Sequence, residues 1–178
     1  LITNSYKNHH AENWDWFEDV VTYDNAIIPL ALFSAYEITG NREWFDIGLK
    51  TTRFLESLTM KADYFIPIGN KSWYRKGGTV PEYAQQSIDV MAIVLLYHQL
   101  FKITKETEYL EKMFKCYLWF LGENSLRLPL YDHETKGCCD GLEETGINRN
   151  QGAESTLAYW ISHLTILAAQ EHEALLLR

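Results

Sequence analysis

The sequence predicts an all-α fold built from repeated α-hairpins. Three observations carry that expectation: apolar residues recur at helical spacing in five segments, no segment shows the alternation of a strand, and tight turns join two helix pairs that long polar loops separate. Short turns at one end and long loops at the other make a stack or ring of hairpins whose loops share one face.

The first helix is expected over residues 24–38, with Ile27, Ile28, Ala31, Leu32 and Ala35 at helical spacing and Pro29 near its first turn, where a missing N–H costs little. Gly40 then closes one helix and Asn41 caps the next, expected over residues 42–58 and carrying Trp44, Phe45, Leu49, Phe54 and Leu55. After a long loop, Thr79, Pro81 and Glu82 read as a helix start, so the third helix is expected over residues 81–103. Its run from 90 to 97 leaves no polar face, which implies burial on more than one side. The fourth helix, 105–121, is amphipathic, and the fifth, 151–171, runs through Leu157, Trp160, Ile161, Leu164 and Leu167. The stretch from Ile38 to Phe45 lines up with that from Ile103 to Leu110, and the same step sets Phe54 and Leu55 against Trp119 and Phe120. A chance match of unrelated helix pairs is the alternative reading.

Composition narrows the classes of function. With 178 residues, 47% of them apolar, the chain suffices for one hydrophobic core. A formal charge of -8 without a basic stripe argues against nucleic acid as a partner. The apolar runs read as too short to cross a membrane, and no phosphate-binding or dinucleotide glycine motif is present. Three cysteines, two of them adjacent, form neither a disulfide framework nor a metal-ligand set, so Cys138 and Cys139 read as buried small residues. No metal and no cofactor is expected, and a reducing, cytoplasmic location is preferred.

The loops carry the chemistry. The aromatic share, 14%, concentrates between helices beside carboxylates and amides, which suits a surface that meets sugars. In the first loop Trp14, Trp16 and Tyr23 make an aromatic wall with Asn25 beside Asp24; Asp24 is either a catalytic carboxylate or a helix cap. In the second, Asn70 and Trp73 precede Gln85, Gln86 and Asp89, which share a face if the helix begins at Pro81, lining a pocket or forming a buried network. In the third, Asp140 and Glu154 lie among small or apolar residues with Asn150 and Gln151 between them. Glycosyl transfer uses two carboxyl groups, so Asp140 or Glu154 is the expected acid, with Asp24 or Asp89 assisting. A structural network holding the loop on the fifth helix is the alternative for this pair.

Several motifs together resemble a known family: Trp16-Phe17-Glu18-Asp19, Tyr23-Asp24-Asn25-Ala26, Pro67-Ile68-Gly69-Asn70, Trp73-Tyr74, Pro129-Leu130-Tyr131-Asp132, Gly137-Cys138-Cys139-Asp140-Gly141-Leu142 and the run from Asn150 to Thr156. They resemble the all-helical domain found alone or fused to bacterial GT-B glycosyltransferases, similar to the six-hairpin glycosidases. The resemblance implies that residues 1–178 form a single, incomplete part of an (α/α)6 toroid with a sugar-sized cleft on its long-loop face. The function it implies is glycan binding with hydrolysis or modification of a glycosidic bond. Its implied partners are carbohydrate and either a glycosyltransferase domain or the remainder of the ring. The alternative is a non-catalytic accessory domain whose loop carboxylates hold the fold.

Overall fold

A computed structural model describes residues 1–176, with side chains through residue 171. In chain order the elements are α1 (Ile2–His9), β1 (Val20–Val21), α2 (Ile27–Thr39), α3 (Arg42–Thr59), β2 (Tyr74–Arg75), β3 (Gln85–Gln86), α4 (Ser87–Thr104), α5 (Glu108–Tyr117), a 3-10 turn (Leu118–Leu121), β4 (Gly141–Glu143), β5 (Gly146–Asn148) and α6 (Ala153–Leu176). The fold is mixed α/β, which overturns the expectation of an all-α hairpin toroid. Among the described residues, five strands form two small antiparallel sheets, β1–β2 and β3–β4–β5.

The sheets stitch the long loops to one another. Val20 pairs with Arg75, joining the loop before α2 to the loop after α3. Gln85 and Gln86 pair with Leu142 and Gly141, joining the end of that second loop to the loop before α6. This pairing also explains why the third helix starts six residues later than expected, at Ser87. Residues 81–86 spend their backbone groups on tertiary partners: Pro81 and Ala84 carbonyls accept from Gly69 and Asn70 N–H at 2.8 and 2.9 Å, and Gln85 and Gln86 enter the sheet. Gly69 is obligatory at that crossing, because a Cβ there would stand 2.0 Å from the Tyr83 carbonyl oxygen.

α4 is the core helix, packed against α2, α5 and α6. By length and a mean hydropathy of 1.3 it is apolar enough to cross a bilayer, but most of it is enclosed by the other helices. Leu96, Tyr97 and Leu100 are sealed, as are Phe33 of α2, Leu55 of α3, and Trp119 and Phe120 of the 3-10 turn. Tightening into that turn ends α5 four residues earlier than the amphipathic pattern suggests and drives both rings into the core.

The internal echo holds at the level of turn geometry. Gly40 and Lys105, at matching positions, end α2 and α4 in the left-handed conformation, with φ of 70° and 63°. Their N–H groups donate to the Tyr36 and Phe101 carbonyls at 2.8 and 2.9 Å. Thr39 and Thr104 hydroxyls donate back to the Ala35 and Leu100 carbonyls and accept from the Asn41 and Glu106 N–H groups. The second copy therefore keeps a lysine where the first has the residue that suits the geometry. Lys105→Gly is expected to stabilise the fold by up to about 0.5 kcal/mol, since relief of the roughly 1–2 kcal/mol cost of a left-handed non-glycine residue is partly offset by loss of the Lys105 Nζ contact over the Phe101 ring and its charge near Glu37. Urea denaturation checks this, and an unchanged midpoint would show that the lysine is unstrained.

Candidate functional site

Asp89 lies in the first turn of α4 and is only 3% exposed. Its Oδ1 accepts the Asp24 backbone N–H at 2.6 Å and, more weakly, Asn25 Nδ2 at 3.5 Å. Asn25 also donates to the Thr22 carbonyl, so the amide holds the turn that leads into α2. Asp24 does not cap that helix: its φ is 52°, the N-cap is Ala26, and no side chain caps the end. Instead, Asp24 Oδ1 and Asp89 Oδ2 are both buried and receive no hydrogen bond. Two buried carboxylate oxygens without a donor are costly, and a retained proton relieves the cost.

The electrostatics agree with that geometry. Burial pushes the Asp89 carboxyl up to about 8, with the charges of Asp24 and Glu154 adding to the rise and the Asp24 and Asn25 donors opposing it. Burial and the charge of Glu154 push Asp24 up to about 6. Glu154 itself is exposed, in the first turn of α6. It lines a polar cavity of about 380 Å³ with Asn70, Gln85, Gln86, Asn148 and Asp140, a size suited to a small ligand.

Asp140 is built differently. Burial would raise its carboxyl, but Asn150 Nδ2, Ser155 Oγ at 2.6 Å and Gly152 N–H at 2.8 Å all donate to it and hold it below the ordinary value. It thereby ties the loop to the start of α6. Asp132 does similar work, accepting from Glu134, Thr135 and Gln151, which hold its carboxyl low. Gln85 is committed to the core: Trp119 Nε1 donates to its Oε1 at 2.7 Å and its Nε2 donates to Ser125. The expected helical face of Gln85, Gln86 and Asp89 does not exist, because both glutamines precede the helix on β3.

The expected aromatic wall divides. Trp14 and Trp16 are each 2% exposed, packed against Phe54 and Tyr74 or Phe17, and belong to the core. Tyr23, 56% exposed, pairs with the half-buried Trp73 at 6.0 Å between centroids, next in the chain to Asp24. Cys138 and Cys139 are buried free thiols, and burial pushes the former up to about 12. Among the described residues no three His, Cys, Asp or Glu side chains converge as a metal site. A groove of about 300 Å³ between α5 and α6 is lined mainly by Leu110, Met113, Phe114, Ile166 and Ala169, with Thr107, Glu111 and Gln170.

Sequence reasoning set Asp24 or Asp89 beside Asp140 or Glu154 as one catalytic group, and did not count Ser155, Glu143 and Asn148, which line the cavity, among the site residues. A signal for the grouping was present. Asp24 and Asp89 are 65 positions apart, the step of the internal echo, and Asp89 and Glu154 are separated by that step again. The three acids thus recur just before or within the first turns of α2, α4 and α6, and the structure couples their charges.

No protein-family model and no curated protein matches this chain. Neither the six-hairpin glycosidase relationship nor the association with glycosyltransferases has support, and the mixed fold contradicts the all-helical family.

The titrations give a signed expectation. Asp24 and Asp89 rise from 3.8 to about 6 and 8, so the stability they contribute is complete below about pH 4 and falls as pH climbs toward 8. Asp132 and Asp140 are lowered, and their contribution is lost as pH drops below 3.8. Melting temperature should peak near pH 4 and decline toward pH 8, with at most about 1.4 kcal/mol per pH unit for the Asp89 proton. Asp89→Asn should flatten the limb between pH 6 and 8; a limb equally steep in the variant would remove Asp89 as its source.

Proposed function

We propose that the polar cavity lined by Asn70, Gln86 and Glu154 binds a carbohydrate, and that the protein acts on a glycosidic bond through Asp24, Asp89 and Glu154. The observation that carries this reading is the pair of buried, donor-free carboxyl oxygens coupled to an exposed glutamate at a polar cavity. A carboxyl that keeps its proton near neutral pH is what protonation of a leaving oxygen requires. Asp24, raised to about 6 and partly exposed, supplies that proton, while Asp89 acts from behind as a positioning group. Glu154 serves as base or nucleophile on the other side of the bond. The exposed Tyr23 with the half-buried Trp73 offers apolar faces to a sugar ring, and Asn70 and Gln86 offer amide donors and acceptors for its hydroxyls.

A second reading, binding without turnover, draws on Asp140, whose full set of donors marks it as a loop anchor and not an acid. We place the protein in the cytoplasm, a location with which three unpaired thiols accord.

A panel of neutral oligosaccharides, scored for both binding and hydrolysis, tests the proposal. Asp24→Asn and Glu154→Gln should each lower turnover at least about 100-fold and change binding little. Asparagine tolerates the left-handed backbone at position 24, so the fold should persist. Hydrolysis retained in both variants would sink the catalytic assignment, and binding without any hydrolysis would favour the second reading.

A further inference from the structure

A second cavity carries the opposite charge. Between α3, β2 and the loop that precedes β1 lies a groove of about 430 Å³, a size suited to a small ligand. Lys50, Arg53 and Ser57 line it from one face of α3, Tyr74 from β2, and Asn13 and Asp15 from the loop. None of its lining residues borders the polar cavity, so its ligand is independent of the chemistry proposed there.

The two cations lack a counter-ion for a definable reason. Asp46 and Glu56 stand at the helical spacings that would pair them, four residues before Lys50 and three after Arg53. Asp46 is instead held by Arg42 at 3.2 Å. Glu56 accepts Lys112 Nζ at 2.9 Å and the Tyr97 hydroxyl at 3.1 Å on one oxygen. Among the described residues neither Lys50 nor Arg53 enters a salt bridge. The groove's carboxylate, Asp15, takes the Tyr6 hydroxyl at 2.6 Å and is outnumbered by the cations. In a chain of formal charge -8 this groove therefore keeps a positive surplus.

An oxyanion meets that surplus, since a guanidinium beside an ammonium offers charge-assisted donors to a carboxylate or phosphate. The rest of the lining suits the body of such a ligand. Phe54 and Tyr74, half-buried and nearly parallel with centroids 6.5 Å apart, make an apolar wall for a ring. Asn13 brings an exposed amide. Ser57 spends its proton on the Phe54 carbonyl and keeps its oxygen as an acceptor, and Asp15 has a second oxygen beyond the one that Tyr6 holds. These three groups are complementary to ring hydroxyls. We propose that the groove binds a monosaccharide bearing an oxyanion, a sugar phosphate or a sugar acid, with Lys50 and Arg53 holding the charged group.

Calorimetry of the full chain with glucose 6-phosphate, glucuronate, glucose and inorganic phosphate tests this assignment. At least one of the two anionic sugars should bind about tenfold more tightly than glucose and than inorganic phosphate at low salt, with the advantage shrinking as salt rises. A lead for glucose 6-phosphate assigns a phosphate and a lead for glucuronate a carboxylate; either sustains the site. Lys50→Gln and Arg53→Gln alter exposed side chains and leave the core intact. Each should lower affinity for the leading sugar about tenfold and leave the response to neutral oligosaccharides unchanged. Asn13→Gly keeps the left-handed backbone of that position and should weaken the anionic sugars toward the affinity of inorganic phosphate. Glucose bound as tightly as the anionic sugars would overturn the oxyanion, and inorganic phosphate bound as tightly would overturn the sugar. Failure of every probe, or binding untouched by both cation variants, would overturn the site itself.

Discussion

The burial of one carboxyl at the head of α4 is the constraint on which the site depends. Asp89 reaches out of the core helix to hold the backbone of Asp24, 65 positions earlier, and so fixes the turn that launches α2. Two effects compete there. The N-terminus of α4 favours a negative charge by about 0.3–1 kcal/mol, or about 2 in a partly buried setting. Removal from water opposes it by more, and the upward shift of Asp89 shows that burial prevails. The helix therefore begins on a group that prefers to keep its proton, within the body of the protein.

Asp140 reaches the opposite outcome with the same side chain. Three donors converge on it, from Asn150, Gly152 and Ser155, whereas Asp89 receives one short bond and one long one. Donor number and burial act together: Asp89 is sealed with few donors and shifts up, while the less buried Asp140 has three and shifts down. Asp140 anchors the loop that sets where α6 begins and hence where Glu154 is presented. One carboxylate spends its capacity on architecture so that another can stay free.

Much of the helical content was legible in the sequence because apolar spacing reports burial directly. α3 falls within a residue of its expected bounds, and α2 and α6 begin within three of theirs. The strands were not legible. Each has two or three residues, too few to show alternation, and all but the local β4–β5 hairpin pair with a loop distant in the chain. Thr79, Pro81 and Glu82 make a sound local helix signal, yet tertiary hydrogen bonds from Gly69 and Asn70 claim the backbone first. The acids, the amides and Tyr23 with Trp73 could be named by residue type. Which aromatics stay outside the core could not, because Trp14 and Trp16 carry the same signal as Tyr23 and are buried.

The internal echo explains how the three acids come together despite that. A residue repeated at a fixed step arrives at the same point of each repeated unit, and units that pack side by side bring those points together. α4 packs against both α2 and α6, so acids recurring near the starts of these helices approach one another without any local motif. The repetition is imperfect where chemistry needs it to be. Asp24 sits in a left-handed turn before its helix, Asp89 is sealed within the first turn of α4, and Glu154 faces solvent on α6. Equivalent positions have thus been given unequal solvation, and unequal solvation is what separates the proton affinities of otherwise similar carboxyls. A symmetric trio would share one environment; this one divides into a buried carboxyl, a half-buried carboxyl and an exposed one.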